Sequence, residues 1–300
     1  MRDTANYYCT QYGKGEMSLA KISDIFSGFI ILQTAFVEKL VQSKKLKEAK
    51  AFSEHFRLQH KLSPQIKQTL NRIADGGHFI FEIQDVPAFG PASKDEPTAA
   101  EPLEYFKIPE HQVKFIGTEE EVHLLEALLN DGKWIGIDSE WRPNIIKFQY
   151  TPVAVLQLSG KEHSFVIDMI ALSESKLLDE TLKKIFNNEN STIVGFSYGS
   201  DNSQFQNSWP DLTFFHRIRN FIDAQTYYQE QKAENFVSGL AKIVSELFPG
   251  KVLCKKEQIS NWTRRPLRKS QIHYGALDAY ILVEMMEKLT ESGNKLVRTL

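Results

Sequence analysis

A chain of 300 residues is long enough for one large domain or two modest ones. Its 42% hydrophobic and 25% charged residues exclude wholesale disorder, and a net charge of −2 excludes bulk attraction to polyanions, so a nucleic-acid partner would need a local basic patch. Two cysteines, Cys9 and Cys254, lack metal-ligand spacing; they exclude a disulfide framework and fit a reducing compartment.

The N-terminal stretch MRDTANYYCTQYGKG has no basic segment leading into an apolar one, and FSGFIILQTAF is too short and interrupted to span a bilayer. The expected location is cytoplasmic or nuclear, without membrane attachment. Residues 18–76 place apolar side chains at helical spacing in LAKISDIFSGFIILQTAFVEKLV, LKEAKAFSEHFRL and SPQIKQTLNRIADGG. Two or three packed helices are predicted, the last started by Ser63-Pro64 and stopped by Gly76-Gly77, within an α-helical region over 1–85. Such helices ordinarily bury their own apolar faces; the second reading is a surface for a protein partner. PAFGPASKDEPTAAEPLEYFKIPEH, rich in Pro, Ala and acids, has no sustained period and reads as a linker over 86–110.

From 111 onward strand and helix signals alternate. TEEEVHLLEALLNDG has a Thr cap, acids in its first turn and Gly132 at its end, the marks of a helix. KWIGIDSE, VAVLQLSG and HSFVIDM, separated by turn chemistry at Pro143-Asn144 and Gly160-Lys161, predict an antiparallel meander. ESKLLDETLKKIFNN reads as a helix, STIVGFS and RNFIDAQ as further strands, and NFVSGLAKIVSELFPG and SQIHYGALDAYILVEMMEKLTESG as helices closed by Gly. The expectation is an α/β domain around a mixed sheet over 111–292, with a tail over 293–300.

Acids stand out in this domain. In GIDSEWRP, Asp138 and Glu140 are i and i+2 on a predicted strand and share one face. Two neighbouring carboxylates repel and raise each other's pKa unless a cation lies between them. A lone pair near a strand end is often only solvated. Asp201, in YGSDNSQF, falls at a strand-to-helix transition, as a helix cap or a further ligand. Tyr274 and Asp278 are i and i+4 on a predicted helix, about 40° apart around its axis. Phosphodiester hydrolysis has use for such a set: two divalent cations, roughly 3.5–4 Å apart, need only a few converging carboxylates.

Asp138, Glu140, Asp201 and Asp278, with Tyr274 four before the last, resemble the sequence blocks of the DEDD-type 3′→5′ exonucleases, tyrosine subclass, which includes ribonuclease D and Werner-type exonuclease domains. The likeness covers roughly 112–290 and extends to IGIDSEWRP, LQLS, IVGF and NWTRRPLRKSQIHYGALDAY. The Glu-Trp-x-Pro opening and the preceding helical region look most like the Nibbler-type subgroup, which trims RNA 3′ ends in small-RNA silencing. GFSYGSDNSQF departs from the pattern in lacking a His after the Gly. His273, five before Asp278, has the spacing of the histidine subclass, but on a helix it points about 140° away, and the Arg-Pro-Leu run matches the tyrosine subclass; Tyr274 is favoured.

The resemblance implies an RNase H-like fold, two Mg²⁺ or Mn²⁺ ions held by the four acids, and release of nucleoside 5′-monophosphates from single-stranded RNA 3′ ends. Asp138 is expected to bridge both ions, Glu140 and Asp278 to complete the site that activates water, Asp201 to act through the second ion, and Tyr274 to orient the nucleophile. KVLCKKEQISNWTRRPLRKSQ supplies the basic patch: Lys255, Lys256, Arg264, Arg268 and Lys269 are candidate backbone contacts, with Arg265 a candidate structural residue. The other reading of such a run is a solvated face. Trp141, Phe196 and Phe205 are candidates either for stacking bases or for the core. DNA as the substrate and a catalytically quiet 3′-end-binding module are the competing functions.

Overall fold

The computed structural model describes residues 2–73, 77–81, 83, 104–144, 150–232 and 238–291. Residues 86–103 of the expected linker and the 293–300 tail lie outside the described residues. The chain forms two compact units, one of Met1–Gln84, Arg142–Thr151 and Ile259–Asn261, the other of Asp85–Trp141, Pro152–Gln258 and Trp262–Leu300. Among the described residues, no helix is long and apolar enough to cross a membrane.

The first unit is helical. It contains α1 (Arg2–Gly13), α2 (Leu19–Phe26), α3 (Ile30–Gln42), α4 (Leu46–His55) and α5 (Pro64–Asn71). Helix α1 lies inside the expected 1–85 helical region but ahead of the periodic stretch that starts at residue 18, because its buried side is only Ala5, Tyr8 and Cys9 and carries little apolar periodicity. The long apolar stretch is not one helix: it breaks at Gly28, whose φ of +81° suits glycine, and separates α2 from α3. Helix α5 starts where Ser63-Pro64 predicts, with the Ser63 hydroxyl accepting from Ile66 N, but ends at Asn71, ahead of the Gly76-Gly77 stop. Edge-to-face rings link the helices, with Tyr8–Phe26, Phe26–Phe36 and Phe36–Phe52 centroids 5.0, 5.5 and 4.9 Å apart. Arg142 is buried in this unit; its guanidinium donates to the Ile25 and Ser27 carbonyls and covers the Phe29 ring, 4.1 Å from the centroid.

The second unit contains β1 (Glu104–Tyr105), β2 (Val113–Ile116), β3 (Trp134–Trp141), β4 (Val153–Ser159), β5 (Ser164–Asp168), α6 (Lys176–Phe186), β6 (Thr192–Gly195), α7 (Gly199–Ser208), β7 (Phe221–Asp223), α8 (Ala224–Lys232), α9 (Leu240–Leu247), β8 (Lys251–Val252) and α10 (Lys269–Glu291). Six strands form one sheet in the order β2-β5-β4-β3-β6-β7. The expected meander is present as antiparallel β3-β4-β5, and β2, β6 and β7 add in parallel, giving the mixed sheet flanked by helices. The predicted helix after Thr118 is a 3₁₀ segment, Glu119–Asn130, whose Glu121 carboxylate accepts from Gly117 N and Thr118 N at 2.8 and 3.0 Å.

Every residue of β4 is buried because both faces of the sheet are covered. Ile135, Ile137, Leu156, Leu158 and α6 residues Leu178 and Leu182 form one core; Trp134, Val155 and α10 residues Leu282 and Val283 form the other. Helix α10 crosses β3, β4 and β5. Gly136 permits the closest approach: a Cβ there would lie 1.9 Å from the Ala279 carbonyl oxygen. Two residues beyond Gly136 is Asp138, and beside Ala279 is Asp278.

Candidate active site

Strand alternation turns Gly136, Asp138 and Glu140 toward α10, while Ile135, Ile137 and Ser139 take the opposite side. Helix α10 brings Asp278 to the same place. One carboxylate oxygen from each of Asp138, Glu140 and Asp278 lies within 4.8 Å of the others, and all three residues are half-buried. Burial raises the Asp138 pKa well above the carboxylate range, and the charges of Asp201 and Asp278 add to the rise. Burial likewise lifts Asp278 to about 7, against the opposing effects of a hydrogen bond from Tyr274 and the Lys255 charge. Hard oxygen donors converging in this way suit Mg²⁺ or Mn²⁺.

The Tyr274 hydroxyl bonds the Asp278 carboxylate, and its ring packs against the fully buried Trp262 at a 6.1 Å centroid distance. Burial, then Asp278 and Glu140, push the phenol pKa upward, so Tyr274 is a proton-holding donor at neutral pH. His273 points elsewhere, with Nε2 3.2 Å from the Ile108 carbonyl oxygen, and burial lowers its pKa. Of the two residues, Tyr274 is the one among the acids.

Asp201, in the first turn of α7, stands apart from the triplet. Its Oδ1 accepts from Ser139 Oγ at 2.6 Å and its Oδ2 from Ser200 Oγ at 3.3 Å. Burial raises its pKa while these two hydroxyls lower it. Ser139 is the middle residue of Asp-Ser-Glu, and its alternate orientation lets it reach an acid 62 positions away. Sequence reasoning overlooked it; a small hydroxyl between two same-face acids was the available signal.

The basic run divides. Lys255 is exposed and close enough to lower the Asp278 pKa; Lys256 and Lys269 are exposed, and Arg264, half-buried, donates to the Pro266 carbonyl at 2.9 Å. Arg268 is a correction to the sequence reading: it is 6% exposed and donates at 2.8 Å to Glu257, itself 4% exposed, which also accepts from Ser270 at 2.9 Å. Its charge is matched inside the protein, not presented to a strand of phosphates. Arg265 donates to both oxygens of Asp168 at 2.5 and 2.6 Å and to the Trp262, Arg264 and Ala154 carbonyls, pinning the loop before α10. Phe205 is wholly in the core; Trp141 and Phe196 are half-buried against opposite cores.

Carboxylates that repel one another yet converge are what a cation-assisted phosphodiester hydrolase requires, and the sheet and helix that gather them here are those of a DEDD-type nuclease. A profile of 3'-5' exonucleases matches residues 113–294, and the chain belongs to that family. It is 27% identical over 205 residues to the exonuclease mut-7 homolog of Aedes aegypti, a match covering 63% of this chain and 28% of that relative, so it spans about a quarter of the relative's length. The crystal structure of the Aedes aegypti Nibbler EXO domain superposes with a TM-score of 0.55 at 26% identity, covering 63% of this chain and 91% of that one. The fold is also that of Trypanosoma brucei RNase D in complex with RNA U12, at a TM-score of 0.51 and 16% identity over 62% of this chain and 64% of the other.

Proposed function

We propose that this chain is a 3′→5′ exoribonuclease that shortens single-stranded RNA to nucleoside 5′-monophosphates with two bound Mg²⁺ or Mn²⁺ ions, in the processing or silencing of small RNAs. The observation that carries the reading is the convergence of Asp138, Glu140 and Asp278 oxygens within 4.8 Å, with the Tyr274 hydroxyl bonded to one of them, Asp278. Bound cations would neutralise the phosphate and supply an acidified water at the scissile bond. Asp138 would hold both ions, Glu140 and Asp278 one of them, and Asp201 the other through a water.

Tyr274 cannot serve as a base, because its phenol keeps its proton; with Asp278 engaged by a cation, the hydroxyl would turn its one hydrogen bond from that carboxylate to the attacking water and orient it. Lys255, Lys256, Lys269 and Arg264 follow the strand's phosphates, and Trp141 offers a ring to a terminal base. RNA as substrate is supported by the Nibbler-like sequence and by the RNase D neighbour with its RNA U12. The helical unit is the candidate surface for a protein partner. Incubation with 5′-labelled single-stranded RNA and DNA plus Mg²⁺ or Mn²⁺ tests the proposal. The expected result is a ladder from the 3′ end on RNA, abolished in Asp138→Ala; a ladder on DNA alone makes the enzyme a deoxyribonuclease, and none on either polymer overturns the reading.

A further inference from the structure

Gln157 on β4 is fully buried, and the antiparallel register sets it directly across from Asp138. Its other sheet neighbour is Val166 on β5, so it lies in the layer between the sheet and α10. A Cβ added to Gly275, the residue after Tyr274, would come 3.0 Å from Gln157 Nε2 and 3.2 Å from its Cγ. The absent side chain at Gly275 thus makes room for this amide at the turn of α10 that carries Tyr274 and Asp278. Among the described residues, neither Nε2 nor Oε1 has a hydrogen-bond partner. Buried amides are nearly always paired, and Leu or Met would fill the same volume without stranding two polar atoms.

Directly opposed residues on antiparallel strands have Cβ atoms about 4.5–5.5 Å apart, so the Gln157 amide can reach the Asp138 carboxylate by side-chain rotation. A carboxylate that ligates a metal ion keeps lone pairs free to accept from a neighbour, and such neighbours fix its orientation. An amide suits this task better than Lys or Arg, whose charge would compete with the cation. We infer that Gln157 is a positioning residue of the carboxylate centre, donating from Nε2 to the Asp138 carboxylate, directly or through one buried water, when divalent cations are bound. This rests on the reading of the acids as a cation site.

The test uses the full chain and its Gln157→Leu and Gln157→Met variants. Melting is recorded without metal, and Mn²⁺ affinity is measured by calorimetry. The expected result is a metal-free melting temperature equal to or above that of the wild type in both variants, with Mn²⁺ affinity weakened about 10–100-fold. Unchanged Mn²⁺ affinity in a folded variant, with or without lower metal-free stability, makes Gln157 a packing residue and overturns the inference alone. A wild-type chain that takes up no Mn²⁺ overturns the cation reading as well. Should Gln157→Leu fail to fold, Gln157→Met, with its flexible unbranched side chain, carries the same comparison.

Discussion

Gly136→Ala adds one methyl group at the point where β3 and α10 touch, and the structure sets the size of the response. The new Cβ would lie 1.9 Å from the Ala279 carbonyl oxygen, 2.9 Å from its carbonyl carbon and 3.3 Å from Leu282 Cβ. The obstructing atoms are helix backbone, so no rotamer change relieves them. To restore even 3.0 Å, the least that real Cβ atoms show, β3 and α10 must separate by about 1.1 Å. The shift falls two residues from Asp138 and one from Asp278, the two acids it would part. Overpacking of this kind costs about 1–3 kcal/mol of stability, which leaves a well-built domain folded. A misplacement of about 1 Å at reacting groups lowers turnover about 100-fold.

The expected Gly136→Ala protein is therefore folded by circular dichroism, a few degrees less stable, and about 100-fold slower in single-turnover digestion of a labelled strand. Its affinity for the strand should be nearly unchanged, since Lys255 and Lys256 lie off the β3–α10 contact. Ile135→Val is the control: it removes a methylene from the opposite core at about 0.5–1.5 kcal/mol and should leave turnover intact. Wild-type turnover in Gly136→Ala, or equal losses in the two variants, would refute the claim that this contact sets the spacing of the acids.

The metal-free protein should melt higher at pH 5.5 than at pH 8: Asp278 titrates near 7 when folded against 3.8 for an ordinary Asp, so its protonation favours the fold and that stability is lost as pH rises through 7. Asp278→Asn should flatten the slope, and a slope of the opposite sign in the wild type would contradict the burial argument. Ser139→Ala removes the hydroxyl that holds Asp201, and a hydrogen bond to a charged group is worth about 1.5–3 kcal/mol. Turnover should drop at least 10-fold at unchanged strand affinity; full turnover would show that Asp201 needs no such hold. Lys255→Ala should weaken single-strand binding and reduce the slope of log affinity against log salt by about 0.7, with melting unchanged at pH 5.5, where Asp278 holds its proton. Arg268→Ala should leave that slope alone and cost about 3–5 kcal/mol of stability by stranding the buried Glu257; the reverse pattern would put Arg268 on the binding surface.

What could be read in the sequence was local. The runs KWIGIDSE, VAVLQLSG and HSFVIDM announce their strands because both faces of the sheet are covered, which leaves almost unbroken apolar stretches between turn signals. Strand β2 gave no such signal: VKFI is four residues long and lies at the sheet edge. Helix α1 had no apolar periodicity to announce it because polar residues dominate it, and the break at Gly28 was not visible because the apolar spacing runs on across it. At the site, the acids and Tyr274 stood out by spacing on single elements. Arg268 was misjudged because counting charges along a run cannot show that its single acid, Glu257, folds back to neutralise it. Ser139 and Gln157 were missed for a related reason, since their meaning comes from a helix and a strand that only the fold brings near.

Energetics separates an enzyme from a quiet end-binding module more sharply than the motif does. The pKa values of Asp138, Asp201 and Asp278 are all raised because burial opposes their charged forms, and at Asp138 the charges of Asp201 and Asp278 add to the rise. Each raised carboxylate subtracts stability at neutral pH, and replacing any of them by Asn would relieve the penalty while keeping the shape. A module that only grips a strand end needs positive charge, which Lys255, Lys256 and Lys269 supply without the acids. Holding buried carboxylates together beside a buried phenol, with Gly136 and Gly275 kept bare so that α10 can press onto the sheet, lowers stability for no binding advantage. The arrangement is accounted for when a cation occupies the acids, because the charge that destabilises the metal-free fold then becomes the attraction that binds the ion.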